Sequence, residues 1–255
     1  MTSPVDAVPA SVQLRRFVTA AEQFVVGIER CDLSARVPAC PEWTAYDLIT
    51  HLGNVHAWAA TIVETGLPAG EQDDAPRRKP KAAAQWYAGK AEDLYEVLRA
   101  ADVDAPCWNF AFGNDGVKGF WHRRQLHETT VHALDLYQAA RLPDVELSAD
   151  LAADGVDEVL TVFLRRMHSR GFPAQLTAPV VVEARDVGRS WTVRPDASGP
   201  PLVTPGSVAG ADVLRGPAAD LYPLLWKRVR LDQTGVELVG DRGRLAAFLG
   251  SRLTA

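Results

Sequence analysis

The chain of 255 residues is poor in cysteine, and this limits the chemistry that its thiols could perform. Its three cysteines, Cys31, Cys40 and Cys107, are odd in number and widely spaced. This pattern predicts neither a disulfide framework nor a cysteine-rich zinc site. Cys40 lies between two prolines and Cys107 lies in an aromatic stretch, and neither has a base or cation close by in sequence. A structural role is therefore favoured over a nucleophilic thiol.

Long apolar runs and an excess of basic charge are also missing. No stretch approaches the ~18 uninterrupted apolar residues of a membrane-spanning helix, and residues 1–6 do not resemble a signal peptide. The net charge is −5 and the pI is about 5.7, which argues against nonspecific binding to nucleic acid. We therefore expect a soluble protein of a reducing compartment, the cytoplasm. G-x-G-x-x-G, P-loop and G-x-S-x-G motifs do not occur.

Helical periodicity dominates the first half of the chain, after a loose lead-in at residues 1–10. Thr44 is an expected N-cap, with Asp47 at the capping-box position, and Ser11 could cap the first helix. Residues 66–80 and the aromatic stretch 102–117 are predicted to be irregular connections. Four amphipathic helices, which indicate a helical bundle, are predicted at about Ser11–Arg30, Ala45–Glu64, Lys81–Ala101 and Val117–Ala140.

The second half changes to a mixture of strands and helices. A helix at Asp150–Ser169 precedes two strand-like runs that the turn at residues 186–189 joins as a hairpin. The strands are predicted at Ala178–Ala184, Ser190–Arg194, Leu202–Thr204 and Gly235–Val239, with helices at Ala218–Arg228 and Gly243–Ser251. The fold class is therefore α+β with two domains: a helical bundle at residues 1–142 and a smaller α+β domain at residues 143–255.

The fourth helix carries a polar stripe of metal-ligand type. Glu128 and His132 are four residues apart, so they project from one helical face about one turn apart. His51 is an unexpected polar residue on one face of the second helix. Two histidines and a carboxylate form a common catalytic zinc set, which leaves a fourth position open. The sequence therefore predicts a site formed by His51, Glu128 and His132, with Asp47 or Asp135 orienting an imidazole.

Other interpretations of these residues remain open. Glu128 could simply pair with Arg124, with His132 as an ordinary helix histidine. His56, His122, His127 and His168 are each expected to be satisfied core or surface residues.

Aromatic residues cluster around the start of the fourth helix and could form a pocket wall or core. The cluster comprises Trp108, Phe110, Phe112, Phe120 and Trp121. If the metal site exists, this cluster is the natural rim of its pocket. Trp108, Trp121 and Arg124 are the residues expected to contact a bound cofactor.

Two segments resemble the mycothiol-dependent maleylpyruvate isomerase family. Residues 37–58 resemble its V-P-x-C-P-x-W-T-x-x-D-L-x-x-H-L-x-x-x-H-x-W pattern, and residues 123–135 resemble its R-R-x-x-H-E-x-x-V-H-x-x-D pattern. The resemblance implies a DinB-like four-helix bundle followed by a domain of sterol-carrier type. It also implies that His51, Glu128 and His132 bind the metal, and that the open position takes the thiol of mycothiol, an actinobacterial cofactor.

The chain departs from the family pattern in the second domain. The family signature commonly reads L-L-x-W-L-x-G-R, whereas Tyr222 and Pro223 interrupt it here and Lys227 replaces the glycine. Arg228 matches the arginine that is thought to hold the substrate carboxylate in the family. The resemblance therefore implies a catalytic role for Arg228, with a surface arginine as the alternative.

The main functional hypothesis is a divalent-metal enzyme, with zinc as the first guess over nickel, manganese or iron. It would activate mycothiol for isomerisation of, or S-transfer to, a small electrophilic substrate, as a monomer or a homodimer. One alternative is a hydrolase that uses metal-bound water. The other is a small-ligand-binding protein of the same fold without catalysis.

Overall fold

The computed structural model describes residues 8–68, 73–76, 79–111, 115–143 and 145–254. They form two compact units, residues 1–145 and residues 146–255. The sequence predicted the boundary between residues 142 and 143. Parts of the predicted lead-in and of the loop at 66–80 lie outside the described residues, as does Phe112.

The first unit is a bundle of four helices that pack against one another. A two-stranded antiparallel sheet precedes the second helix. The helices are α1 (Ala10–Arg30), α2 (Ala45–Thr65), α3 (Pro80–Ala100) and α4 (Gly119–Ala140), and the strands are β1 (Arg36–Val37) and β2 (Cys40–Thr44). Each predicted helix is present, with ends shifted by at most two residues.

Local capping explains where α2 begins and ends. The Thr44 hydroxyl accepts a hydrogen bond from the Asp47 N–H at 3.3 Å, and the Asp47 carboxylate accepts one from the Thr44 N–H at 2.8 Å. This is the predicted capping box. At the other end, Gly66 adopts a left-handed φ of 79°, which favours glycine. The cap predicted for α1 is wrong: Pro9 occupies the N-cap, and Ser11 lies inside the first turn.

A glycine on α2 allows a close approach to α3. A Cβ atom on Gly53 would lie 2.3 Å from Cζ3 of Trp86, which is far inside van der Waals contact. The indole therefore packs directly on the backbone of α2, two residues after His51. This contact helps to set the position of the helix that carries His51.

Substitution of Gly53 by alanine is expected to destabilise the first unit. Overpacking of a filled interface costs about 1–3 kcal/mol, whereas removing a helical glycine from open space gains about 0.5–1 kcal/mol. Gly89 on α3 has no atoms near its missing Cβ and is the matched control. Urea unfolding should show a lower midpoint for Gly53→Ala and an unchanged or higher midpoint for Gly89→Ala. Equal effects would contradict the packing role of Gly53.

The second unit contains a five-stranded sheet of order β5-β4-β3-β6-β7, in which β3 and β6 are parallel and the other pairs are antiparallel. The strands are β3 (Val180–Ala184), β4 (Arg189–Arg194), β5 (Leu202–Pro205), β6 (Asp212–Gly216) and β7 (Glu237–Val239). The predicted β3–β4 hairpin is confirmed. The sequence did not predict β6.

Helices accompany this sheet. They are α5 (Ala149–Glu158), α6 (Leu164–Ser169), α7 (Ala218–Leu225) and α8 (Arg242–Gly250). The predicted single helix at 150–169 is interrupted by a π-helical turn at Val159–Phe163, and a short 3₁₀ turn spans Leu231–Gln233. The predicted class, α+β with a helical first region and a sheet-containing second region, is confirmed. Within the described residues, no helix combines the length and the apolar character that crossing a membrane requires.

Candidate metal site in the helical bundle

Helix α4 presents polar side chains to the interior of the bundle. Thirteen of its residues are buried, and among them are Arg124, Gln125, Thr129, His132 and Asp135. Burying polar groups without partners costs about 1–3 kcal/mol each, so their partners define what this face does.

Three side chains from α2 and α4 meet at this face. Oε1 of Glu128 lies 3.3 Å from Nε2 of His132 and 3.5 Å from Nε2 of His51. One ligand atom from each of the three residues lies within 4.8 Å of the other two. Their side chains are 36% (His51), 19% (Glu128) and 9% (His132) exposed, so solvent reaches the group mainly from the side of His51.

The donor set fits a divalent cation. Bonds of about 2.0–2.2 Å in tetrahedral geometry separate neighbouring donor atoms by roughly 3.3–3.6 Å. Both imidazole nitrogens lie at that separation from the Glu128 oxygen. Two imidazoles and one carboxylate also match the ligands that zinc and related ions take in catalytic sites.

Neighbouring charges keep Glu128 in the ionised state that ligation needs. Arg124 donates from a terminal guanidinium nitrogen to Oε2 of Glu128 at 2.9 Å, which leaves Oε1 to face the histidines. Burial alone would raise the pKa of Glu128, but Arg124 and hydrogen bonds from His132 and His51 outweigh it and hold that pKa well below its ordinary value. The carboxylate is therefore ionised and acts only as an acceptor.

Asp135 orients His132. Its Oδ2 lies 2.9 Å from Nδ1 of His132, and its side chain is fully buried. The carboxylate can only accept, so Nδ1 carries the proton and Nε2 faces Glu128. Burial alone would lower the pKa of His132, but Asp135 and Glu128 outweigh it and raise it to about 9, so a metal that binds Nε2 must displace a proton from it. The sequence named this carboxylate as one of two candidates, and Asp47 is the one that closes the cap of α2.

Trp43 borders the most exposed ligand. Its ring centroid lies 4.8 Å from that of His51, and the residue is half-buried at the end of β2. Trp43 is not among the site residues predicted from the sequence. Its position just before the N-cap of α2, two turns from His51, was the available signal.

The aromatic cluster lies around Trp121. This indole is fully buried, donates from Nε1 to the carbonyl of Trp108 at 3.1 Å and stacks with that ring. Arg124 is almost fully buried as well. Among the three residues expected to contact a cofactor, Trp108 is half-buried, whereas Trp121 and Arg124 are buried.

The buried cysteines do not have the character of nucleophiles. Burial, and then the charge of Asp32, raises the pKa of Cys31 to about 11. Burial also raises the pKa of Cys107, whose thiol donates to the carbonyl of Ile62. Both are therefore neutral thiols near neutral pH, in keeping with a structural role.

Arg228 lies in the second unit, just after α7. Its guanidinium donates to the carbonyl of Trp226 at 2.8 Å and lies 5.6 Å from the centre of that indole. Lys227 adopts a left-handed φ of 61°. Glycine adopts such a φ without a steric cost, which explains why a glycine suits this position in the family pattern.

Comparisons with known proteins agree with this architecture. Residues 14–137 match the family model "Mycothiol maleylpyruvate isomerase N-terminal domain", and residues 150–247 match the model "MDMPI C-terminal domain". Two crystal structures are similar, one of a mycothiol-dependent maleylpyruvate isomerase and one of a histidine-to-alanine mutant of such an enzyme. Each is 15% identical, with 88% of this chain and 91% of that chain covered and a TM-score of 0.58. No curated protein matches the sequence.

The fold and the site define a class: α+β enzymes with a helical bundle that carries a histidine–carboxylate group. The two family models together span most of the chain. The chain belongs to the mycothiol-dependent maleylpyruvate isomerase family, and the resemblance noted in the sequence is confirmed.

Proposed function

We propose that this enzyme binds a divalent metal through His51, Glu128 and His132 and uses it to activate mycothiol. The observation that carries the proposal is the meeting of these three donors, at 3.3 and 3.5 Å from one carboxylate oxygen, in a member of this family. A bound divalent cation keeps a coordinated thiol deprotonated at neutral pH, which supplies the nucleophile for cis–trans isomerisation or S-transfer. Zinc is our first choice of metal.

The residues around His51, Glu128 and His132, called the trio below, have separate tasks in this proposal. Arg124 holds one oxygen of Glu128 so that the other faces the ligand position. Asp135 holds the proton of His132 on Nδ1 so that Nε2 can ligate. Trp43 flanks the exposed side at His51 and forms a wall there. Trp108 remains our candidate for contact with the cofactor.

The substrate is proposed to be a small electrophile related to maleylpyruvate, and the site of action is proposed to be the cytoplasm. Arg228 is our candidate for holding a substrate carboxylate. Its support is the match to the family pattern and the half-buried position of Arg228 beside Trp226.

The decisive experiment measures turnover of maleylpyruvate with and without mycothiol, using metal-loaded and chelator-treated protein. The proposal expects isomerisation only when both metal and thiol are present. Hydrolysis of ester or amide substrates by the metal-loaded protein without a thiol would instead favour metal-bound water as the nucleophile. Binding of mycothiol without turnover of any electrophile tested would favour the non-catalytic alternative.

A further inference from the structure

A second buried polar cluster lies beside the trio and links three helices. It consists of His56 from α2, Tyr87 from α3, and Gln125 and Thr129 from α4, all of them buried. His56 follows His51 by five residues, and Gln125 precedes Glu128 by three. The cluster therefore joins the same two helices that supply the trio. The sequence predicts a satisfied core or surface position for His56, and the structure places it in the core.

The hydrogen bonds of this cluster allow one consistent assignment of donors and acceptors. Nδ1 of His56 lies 2.8 Å from Oε1 of Gln125, and because an amide oxygen only accepts, Nδ1 carries the proton. The other nitrogen, Nε2, then accepts from the hydroxyl of Tyr87 at 3.1 Å. The hydroxyl of Thr129 donates its hydrogen bond to the backbone carbonyl of Gln125 at 2.7 Å. Both imidazole nitrogens are paired while the ring is neutral, in keeping with a pKa that burial lowers to about 4.

Such a cluster fixes the distance between the helices that it joins, whereas apolar packing alone would leave that distance adjustable. A hydrogen bond between buried groups fixes both the separation and the direction of its partners, and networks of this kind define one arrangement of a core. A metal site tolerates ligand displacements of only about 0.2 Å. The His56–Gln125 bond is a direct polar tie between α2 and α4, within about one and a half turns of His51 and one turn of Glu128.

We propose that His56 is a positioning residue whose bond to Gln125 sets the spacing of α2 and α4 on which metal binding by the trio depends. The inference rests on the proposed function, since it assigns a role toward the same metal. His56 does not touch the metal or the reacting atoms. Its contact with Tyr87 ties the pair to α3 but does not set the α2–α4 distance.

Two substitutions at His56 separate these contacts. Asparagine places its amide N–H where Nδ1 lies, so His56→Asn keeps the donor to Gln125 and loses the acceptor for Tyr87. Glutamine reaches the position of Nε2, so His56→Gln keeps a partner for Tyr87 and loses the bond to Gln125. Gln125→Met removes the same bond from the other side with little change of volume.

The measurement is the Kd for Zn²⁺ and Co²⁺ by competition with a chromophoric chelator, with the visible spectrum of the Co²⁺ form as a report on ligand geometry. His56→Gln and Gln125→Met are expected to weaken binding about 10- to 100-fold, the range found when residues behind metal ligands are changed. His56→Asn is expected to stay within about threefold of the wild type. Urea unfolding of the metal-free proteins records the structural cost of each change separately.

A control histidine distinguishes positioning from general loss of a buried imidazole. His122 is buried on α4 and bonds the carbonyl of Leu98 at 2.9 Å, so His122→Asn should lower stability and leave the metal Kd unchanged. Unchanged affinity in His56→Gln and Gln125→Met, or an equal loss in His56→Asn, would overturn the role of His56. If His56→Gln does not fold, Gln125→Met decides. A wild-type chain that binds neither ion would contradict the proposed function as well.

Discussion

Substitution of His51 by alanine or of Glu128 by glutamine is expected to remove the bound metal and abolish thiol-dependent turnover. A site with three protein ligands loses its hold on the ion when one is removed. Loss of metal assistance, worth several kcal/mol, corresponds to a fall in kcat/KM on the order of a thousandfold or more. Metal content by mass spectrometry and turnover by absorbance check the two halves of this expectation.

The two variants are chosen so that the fold survives. His51 is the most exposed of the three residues, and Oε1 of Glu128 keeps His132 as a partner when His51 is removed. Glutamine keeps the volume of Glu128, and its amide oxygen can still accept from the buried guanidinium of Arg124. An alanine at position 128 would remove the hydrogen-bond acceptor and the volume as well as the charge, and is expected to cost several kcal/mol.

Matched controls come from outside the trio. His168→Ala removes a histidine from the second unit, and Glu96→Gln neutralises an exposed carboxylate that pairs with Arg99. Both should retain metal and turnover, since an exposed ion pair contributes only about 0–1 kcal/mol to stability. Full metal content in His51→Ala or Glu128→Gln would show that the trio does not bind the metal and consists of ordinary bundle residues.

Replacement of Asp135 by asparagine is expected to weaken the metal site without removing a ligand. The fully buried carboxylate holds the Nδ1 proton of His132 at 2.9 Å and raises the pKa of that imidazole. Asparagine keeps the size but loses the charge, so His132 becomes a weaker ligand that can also turn. Changes of this kind lower metal affinity about 10- to 100-fold. The Kd of Zn²⁺ by chelator competition provides the check.

A buried carboxylate elsewhere serves as the comparison. Asp212 on β6 is buried and accepts two hydrogen bonds from Arg244, at 2.6 and 3.0 Å. Asp212→Asn should lower the stability of the second unit while the Zn²⁺ affinity stays that of the wild type. If both variants lost affinity equally, the effect of Asp135→Asn would reflect general destabilisation rather than orientation of His132.

Much of the trio could be predicted because local geometry determines it. Glu128 and His132 share a helical face wherever that helix forms, and the stretch around them contains no glycine or proline. The meeting with His51 was not local. It depended on the expectation of a bundle and on the family pattern, and the structure places the three donor atoms within 4.8 Å.

Residues whose roles depend on packing could not be read from the sequence. His56 acquires its partners from two other helices, so no spacing along α2 indicates them. Trp108 and Trp121 have the same residue type, and only the packing makes one half-exposed and the other fully buried.

The strand β6 was missed for a related reason. Its Asp212 and Arg215 resemble loop residues until their partners Arg244 and Glu183 are known. Charged residues at these positions hide the period-two alternation of burial that the strand shows in the structure. The π-helical turn at Val159–Phe163 likewise lies in an apolar run whose pattern predicts ordinary helix.

The most direct test of the central claim is calorimetric titration of the protein with mycothiol, in metal-loaded and metal-free forms, in buffers of different ionisation enthalpy. If the metal activates the thiol, mycothiol should bind only the metal-loaded form. Binding should release about one proton per chain, because coordination deprotonates the thiol. Equal binding to both forms without proton release would show that the trio does not activate the thiol.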